Sequence, residues 1–207
     1  MPTPIEEMRA LVRIDLKDPW YEGRVPKWFD EELDRAIQRA VEEYSQFVPL
    51  PQKTTLATTS GRDYVDISAL TSRVRVYRVE FPIGQKPRRY QPFRVFMDQL
   101  IFTGDDVGNG NDCAIEWGKV HTINASVNTV DPQHHHTIAL GAAAYAVLSE
   151  SQSKGYWQAP PVEGESETYI DWGNLMVRQF RAELARIARH VRAQRVFTGE
   201  IYYKEGA

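Results

Sequence analysis

Apolar residues recur at helical spacing at both ends of the chain and alternate with polar ones in its middle. Near the N-terminus, Ile5, Met8, Leu11 or Val12, and Leu16 predict a helix that opens at Pro4. Pro19, Gly23 and Pro26 break it. A second helix is expected in "FDEELDRAIQRAVEEYSQFVPL". Asp30 is its N-cap, acids fill its first turn, and Leu33, Ile37, Ala40 or Val41, and Tyr44 form the apolar stripe, until Pro49 and Pro51 stop it.

From Lys53 to about Val120 the period changes to two. "TTLATT" and "YVDISAL" flank the turn Ser60-Gly61-Arg62-Asp63, which reads as a hairpin. In "RVRVYRVEF", Val74, Val76 and Val79 or Phe81 point inward and Arg73, Arg75 and Arg78 face water. Either the parity slips near Tyr77 or a bulge sits there. "YQPFRVFMDQLIF" and "CAIEWGKV" complete a sheet of four to six strands, joined by the polar loop "TGDDVGNGND".

Beyond it, "DPQHHHTIALGAAAYAVL" has Asp131 as an N-cap and Pro132 at the first helical position, followed by small residues that let another helix come close. A linker, "SKGYWQAPPVEGES", leads to the strongest periodic signal of the chain. There Tyr169, Trp172, Met176, Phe180, Leu184, Ile187 and Val191 follow at steps of 3, 4, 4, 4, 3 and 4. The expected class is α+β: a helical domain of three to four helices (1–52 and 121–195), an inserted antiparallel β-domain (53–120) and a C-terminal tail (196–207).

Composition changes this picture little. The 207 residues are 42% hydrophobic and 11% aromatic, enough for a real core, and a net charge of −3 does not suit a general coat for nucleic acid. That mean hides a gradient. Residues 1–47 hold seven Lys/Arg against eleven Asp/Glu, whereas 172–197 hold six Arg against Glu183 alone, a contrast that suits contact between copies or with a partner. Two solvated helix faces would give the same contrast. The single cysteine, Cys113, excludes an internal disulfide and a cysteine zinc site, and its strand context reads as a small buried hydrophobe. The first residues lack the basic and apolar regions of a signal peptide, and no stretch approaches the roughly 20 apolar residues of a membrane span. The expectation is a protein made in the cytosol and used there or in something assembled there.

The candidate chemistry is thin. Consecutive helical residues point about 100° apart, so His134, His135 and His136 cannot converge on one ion, and four residues on lie Ile138, Ala139 and Leu140. In an extended conformation His134 and His136 share a face, but a third ligand must then come from elsewhere. A cluster facing a partner, or sensing pH, stays open. His121 and His190 are isolated. Asp105, Asp106, Asn109, Asn111 and Asp112 lack the oxygen alternation of a calcium loop. No nucleophile elbow, phosphate-binding glycine loop or zinc helix motif occurs. No catalytic residue, metal or cofactor is therefore expected. Arg178, Arg181, Arg186, Arg189, Arg192 and Arg195 read either as a solvated helix face or as a basic surface for an acidic partner or passing DNA.

Taken in order, "FDEELDRAIQRAVEEYSQFVPL", "KTTLATTSGRDYVDISAL", "VRVYRVEFPIGQ", "HTIALGAAAYAVL" and "DWGNLMVRQFRAELARI" resemble the head–tail connector (adaptor, or head-completion) proteins of tailed bacteriophages, over residues 5–195. Smaller adaptors are essentially all-helical; the β-rich middle resembles a longer form with an inserted β-domain. The resemblance implies a non-enzymatic virion protein, assembled in the host cytoplasm. It would form a homo-oligomeric ring, usually of twelve, at the neck, bind the portal on one side and a tail-side protein on the other, and surround DNA without reading its sequence. It further implies portal docking by the C-terminal end, where Phe197, Ile201, Tyr202 and Tyr203 are the apolar anchors. Lys86, Arg88 and Arg89 stand as a candidate tail-side loop. Another tail-joining or tail-terminator ring protein is the alternative within the class, and a metal- or nucleotide-dependent enzyme the alternative outside it.

Overall fold

The structure, a computed structural model, describes residues 2–18, 26–104, 108–157 and 165–197. Its elements run α1 (Pro4–Asp15), α2 (Asp30–Phe47), β1 (Leu50–Ala57), β2 (Tyr64–Asp66), β3 (Arg73–Glu80), β4 (Tyr90–Gln91), β5 (Phe93–Phe96), β6 (Gln99–Phe102), β7 (Asp112–Lys119), a 3₁₀ turn (Pro132–His134), α3 (His135–Trp157) and α4 (Glu165–Phe197). The fold is α+β, and the chain divides into two compact units. One is drawn from residues up to Val48 and from His121 onward, and the other is Pro49–Val120.

In the helical unit the caps follow from chemistry at each N-terminus. Thr3 caps α1, Pro4 takes the first turn, and the Glu6 carboxylate accepts the Thr3 N–H at 2.7 Å. Asp30 is not the N-cap of α2. Phe29 holds that position, and the Glu32 carboxylate accepts its N–H at 3.0 Å, which leaves Asp30 in the first turn to bind Arg9 and Arg13. The α2 stripe is as expected, with Leu33, Ile37, Ala40, Val41 and Tyr44 buried. Asp131 does cap the third helical region, accepting the Gln133 N–H, but the first turn is 3₁₀ and α3 proper starts at His135.

The core of this unit is built around α3. Ile138, Ala139, Ala142, Ala143, Tyr145 and Ala146 join one cluster with Met8 and Val12 of α1, Leu33 and Ile37 of α2, and Phe180 and Leu184 of α4. Small side chains let the backbones close in. A Cβ on Gly141 would sit 2.7 Å from Phe180 Cζ, and one on Gly173 would sit 2.8 Å from Leu148 Cδ2. α3 extends through Ser153–Trp157, so the connection to α4 is shorter than the composition of 153–166 suggested. Within the described residues no helix is long and apolar enough to cross a membrane.

The β unit departs further from expectation. It holds two antiparallel sheets, ordered β1-β7-β3-β4 and β2-β6-β5, instead of one. β1 and β2 do not form a hairpin: β1 pairs along its length with β7, and β2 pairs with β6. The turn signal at Ser60–Asp63 reverses the chain, with Gly61 at φ +75°, but the reversal carries it from one sheet to the other. β1 starts at Leu50, so Pro51 lies inside it; an edge strand tolerates a missing N–H. The bulge at Tyr77 is present, since Val76 faces Trp117 and Arg78 faces Glu116. A second irregularity lies at Val74. Inward residues of both sheets, including Val65, Leu100 and Phe102 from one and Val79, Cys113, Ile115 and Trp117 from the other, make a second core. Burial pushes the Cys113 thiol up to about 11, as suits a packing residue.

Candidate functional site

The three consecutive histidines diverge. His134 Nδ1 lies 2.9 Å from the Tyr44 hydroxyl on α2, and His135 Nε2 lies 3.0 Å from the Asn128 side-chain amide. His136 is exposed and close enough to Asp15 of α1 to act on its carboxyl, whose pKa burial raises. Each ring therefore meets a different part of the fold, as the 100° step requires. Among the described residues no group of three or more His, Cys, Asp or Glu side chains is gathered around a point that could hold a metal.

A fourth histidine matters more than its isolation in sequence suggested. His121 is buried where the chain re-enters the helical unit. Its Nε2 lies 3.0 Å from the Val48 carbonyl and its Nδ1 lies 2.9 Å from the Thr129 carbonyl, while its backbone N–H donates to Ser45 Oγ at 2.9 Å. One imidazole thus ties the last residue before the β unit to the segment that follows it. Tyr44 links it to His134, with ring centroids 5.2 Å from His121 and 5.7 Å from His134. The phenol pKa is raised, chiefly by burial, which keeps it a donor.

Burial, the largest influence on each, depresses the pKa of both His121 and His134. Around His134, Asp131 opposes the shift while Arg186, His135 and His190 add to it; around His121, the Thr129 and Val48 carbonyls oppose it and His134 adds to it. A group with a depressed folded pKa binds its proton more readily when unfolded. Its contribution is present above the unfolded value of about 6.5 and is lost as pH falls through the folded value. Stability should therefore fall between about pH 6.5 and 5, above the range where carboxylates titrate. Thermal unfolding across that interval, with His121→Gln for comparison, is the check. A flat profile in the native chain would remove the histidines from the account.

The arginines of α4 do not form one uniform surface. Arg178, Arg181, Arg186, Arg189 and Arg192 are exposed, and the side chain of Arg195 lies outside the described residues. Arg181 is committed within the fold: its Nε donates to Glu43 Oε1 of α2 at 2.7 Å, and Glu43 also accepts the Tyr145 hydroxyl of α3. The guanidinium of Arg39 lies 4.1 Å from the centroid of the Tyr145 ring, so α2, α3 and α4 share one polar knot. Arg186 pairs with Glu183 one turn away at 2.8 Å, and Arg189 donates to the Ala185 carbonyl at 3.3 Å. The cationic face is thus centred on Arg178, Arg189 and Arg192.

Lys86, Arg88 and Arg89 lie in the exposed connection from β3 to β4, with Glu80 paired to Tyr90 at its base. Arg88 is bonded to the side chain of Tyr90. The loop between β6 and β7 is no hairpin loop, because it joins the two sheets. Residues 108–111 dock on the turn after β1: the Gly108 N–H donates to the Arg62 carbonyl at 2.8 Å, and Thr58 bonds the Asn111 carbonyl through both its N–H and hydroxyl. A Cβ on Gly108 would lie 2.4 Å from the Thr59 carbonyl oxygen, so the glycine permits the contact. Asp105 and Asp106 lie outside the described residues. So do Ile201, Tyr202 and Tyr203 and the side chain of Phe197, at the end of α4.

No protein-family model matches the chain, and no curated protein matches it either.

Proposed function

We propose that this chain is a structural subunit of a tailed-phage neck, a head–tail connector that joins portal to tail as part of a ring through which DNA passes. The observation that carries the reading is the way the helical unit is assembled. Two helices from the N-terminal end and two from the C-terminal end close on one core, and a β unit is inserted between α2 and α3. That arrangement suits the longer adaptor form which the sequence resembles. The rigid helical unit would present α4 and whatever follows it, while the β unit would offer a separate surface. The side chains with the most chemical potential, His121, His134, His135 and Arg181, are engaged in holding elements together, which fits a structural role.

Docking on the portal is assigned to residues 196–207. Phe197, Ile201, Tyr202 and Tyr203 would each contribute roughly 1.5–3 kcal/mol of apolar transfer before ordering costs, and repetition around a ring turns a modest net gain into avidity. Deleting 196–207 should leave a folded subunit that no longer joins portal-bearing heads, so particles carry filled or leaking heads without tails. Copies of the chain per purified head, counted by quantitative mass spectrometry, check this. Wild-type occupancy of the truncated chain would move the docking surface elsewhere, and no association of the full chain with portal would remove the neck reading itself.

A further inference from the structure

We infer that the tip of the β5–β6 hairpin is a preorganised docking knob that inserts Val95, Phe96 and Met97 into an apolar cleft of a different protein. These three consecutive side chains are 42%, 59% and 78% exposed, whereas Ile14, Phe29, Ile83 and Val127 are exposed one at a time. Single exposed hydrophobes are normal on a surface, but a contiguous group at a loop tip marks a contact.

Two features show that the tip is built and held. Phe96 pairs with Gln99, which leaves Met97 and Asp98 as a two-residue turn, and Met97 has φ +52°. That is the left-handed region, at a turn position where glycine is the preferred residue. A large, exposed methionine there is the less stable choice for the turn itself. The turn is then fixed from the neighbouring sheet. Arg73 donates to the Ile67 carbonyl at 2.9 Å, to the Met97 carbonyl at 3.1 Å and to Asp98 Oδ1 at 3.3 Å, and the Ile67 N–H donates to the Asp98 carbonyl at 2.9 Å. Holding the apolar tip in one shape before contact reduces the ordering cost of binding.

The occupant follows from size and charge. Three side chains bury far less than the about 800 Å² per partner of a stable interface, so two convex tips meeting head-on would not hold two copies together. A concave partner covers the tip on all sides, and the exposed hydrophobes elsewhere in the described residues are too scattered to form such a cleft. The rim carries one cation, Arg94, and one anion, Asp98, which suits the mixed rim of a protein pocket better than an anionic lipid surface.

The inference stands on the hairpin alone and does not require the neck reading. The test places benzoylphenylalanine at position 96 of the full chain, and at position 62 as a control, in the cells that naturally make it. After illumination, adducts are identified by mass spectrometry, and the protein found is purified and titrated against the native chain, Phe96→Ser and Met97→Gly. One different protein should be trapped from position 96 and not from 62, and Phe96→Ser should weaken its binding at least about tenfold. Met97→Gly should also weaken binding while leaving the thermal midpoint unchanged or higher, a split that a merely structural methionine would not produce. Adducts with a second copy, with lipid or with nothing would overturn the inference, as would equal affinity of the variants. A trapped protein from outside a virion would sink the neck reading and leave this one standing.

Discussion

Arg13→Met is expected to lower the stability of the chain by about 3–5 kcal/mol, because it strands a buried carboxylate. Arg13 and Asp18 are 6% and 4% exposed, and their side chains meet at 3.3 Å. The same guanidinium donates to the Trp28 carbonyl at 2.9 Å and to Asp30 at 2.7 Å, and Asp18 accepts the Trp28 N–H at 3.2 Å. The end of α1 is thereby fastened to the start of α2. Removing the cation leaves Asp18 with one backbone donor in a place water does not reach. Replacing both members should cost much less than replacing one, since two charges no longer need to be desolvated. Arg13→Met/Asp18→Leu should therefore recover more than half of the loss. Urea unfolding of the native chain, both single variants and the double variant gives the coupling directly. A single variant within about 1 kcal/mol of the native chain would mean that Asp18 finds solvent or another donor.

What was legible in the sequence follows from the range of the interactions. The α+β class, the stripes of α2 and α4, the cap at Asp131 and the bulge at Tyr77 rest on neighbours a few residues apart, and periodicity reports those directly. Strand pairing does not. The alternation in "TTLATT" marks β1 as a strand, but its partner β7 lies almost sixty residues on, and the adjacent turn signal could announce only a reversal. The same limit hid the polar contacts. His121 looked isolated because Val48, 73 residues away, and Ser45, 76 away, complete its environment. Arg181 looked like one more member of a basic face until the fold brought Glu43 to it across 138 residues. Asp30 has the right chemistry for a cap, but two arginines of α1 compete for it and Glu32 serves the helix start instead. The hairpin tip gave no periodic signal, because its meaning lies in exposure and in a backbone angle.

The small-residue helix was legible as a close-packing element, and it yields the other large effect. Phe180 is fully buried against α3, with its ring edge-on to Tyr145 at 6.3 Å between centroids. Phe180→Ala should cost about 3–5 kcal/mol through lost transfer and the cavity left behind. The informative experiment is at the glycine beneath it. In an exposed helix Gly→Ala stabilises by about 1 kcal/mol. At Gly141 the new Cβ would lie 2.7, 2.8 and 2.9 Å from three atoms of the Phe180 ring, closer than carbon atoms approach without displacement. The ring cannot swing away, since it is enclosed on every side by core. Gly141→Ala should thus be destabilising in the native background, by about 1–3 kcal/mol of overpacking. Once Phe180 is alanine the obstacle is gone and only helix propensity remains, so the same substitution should become stabilising. The sign of Gly141→Ala in the two backgrounds, read from thermal or urea unfolding, decides the matter. If it is favourable in both, α3 and α4 do not approach as closely as this packing requires, and the helical core would have to be redrawn around a wider spacing.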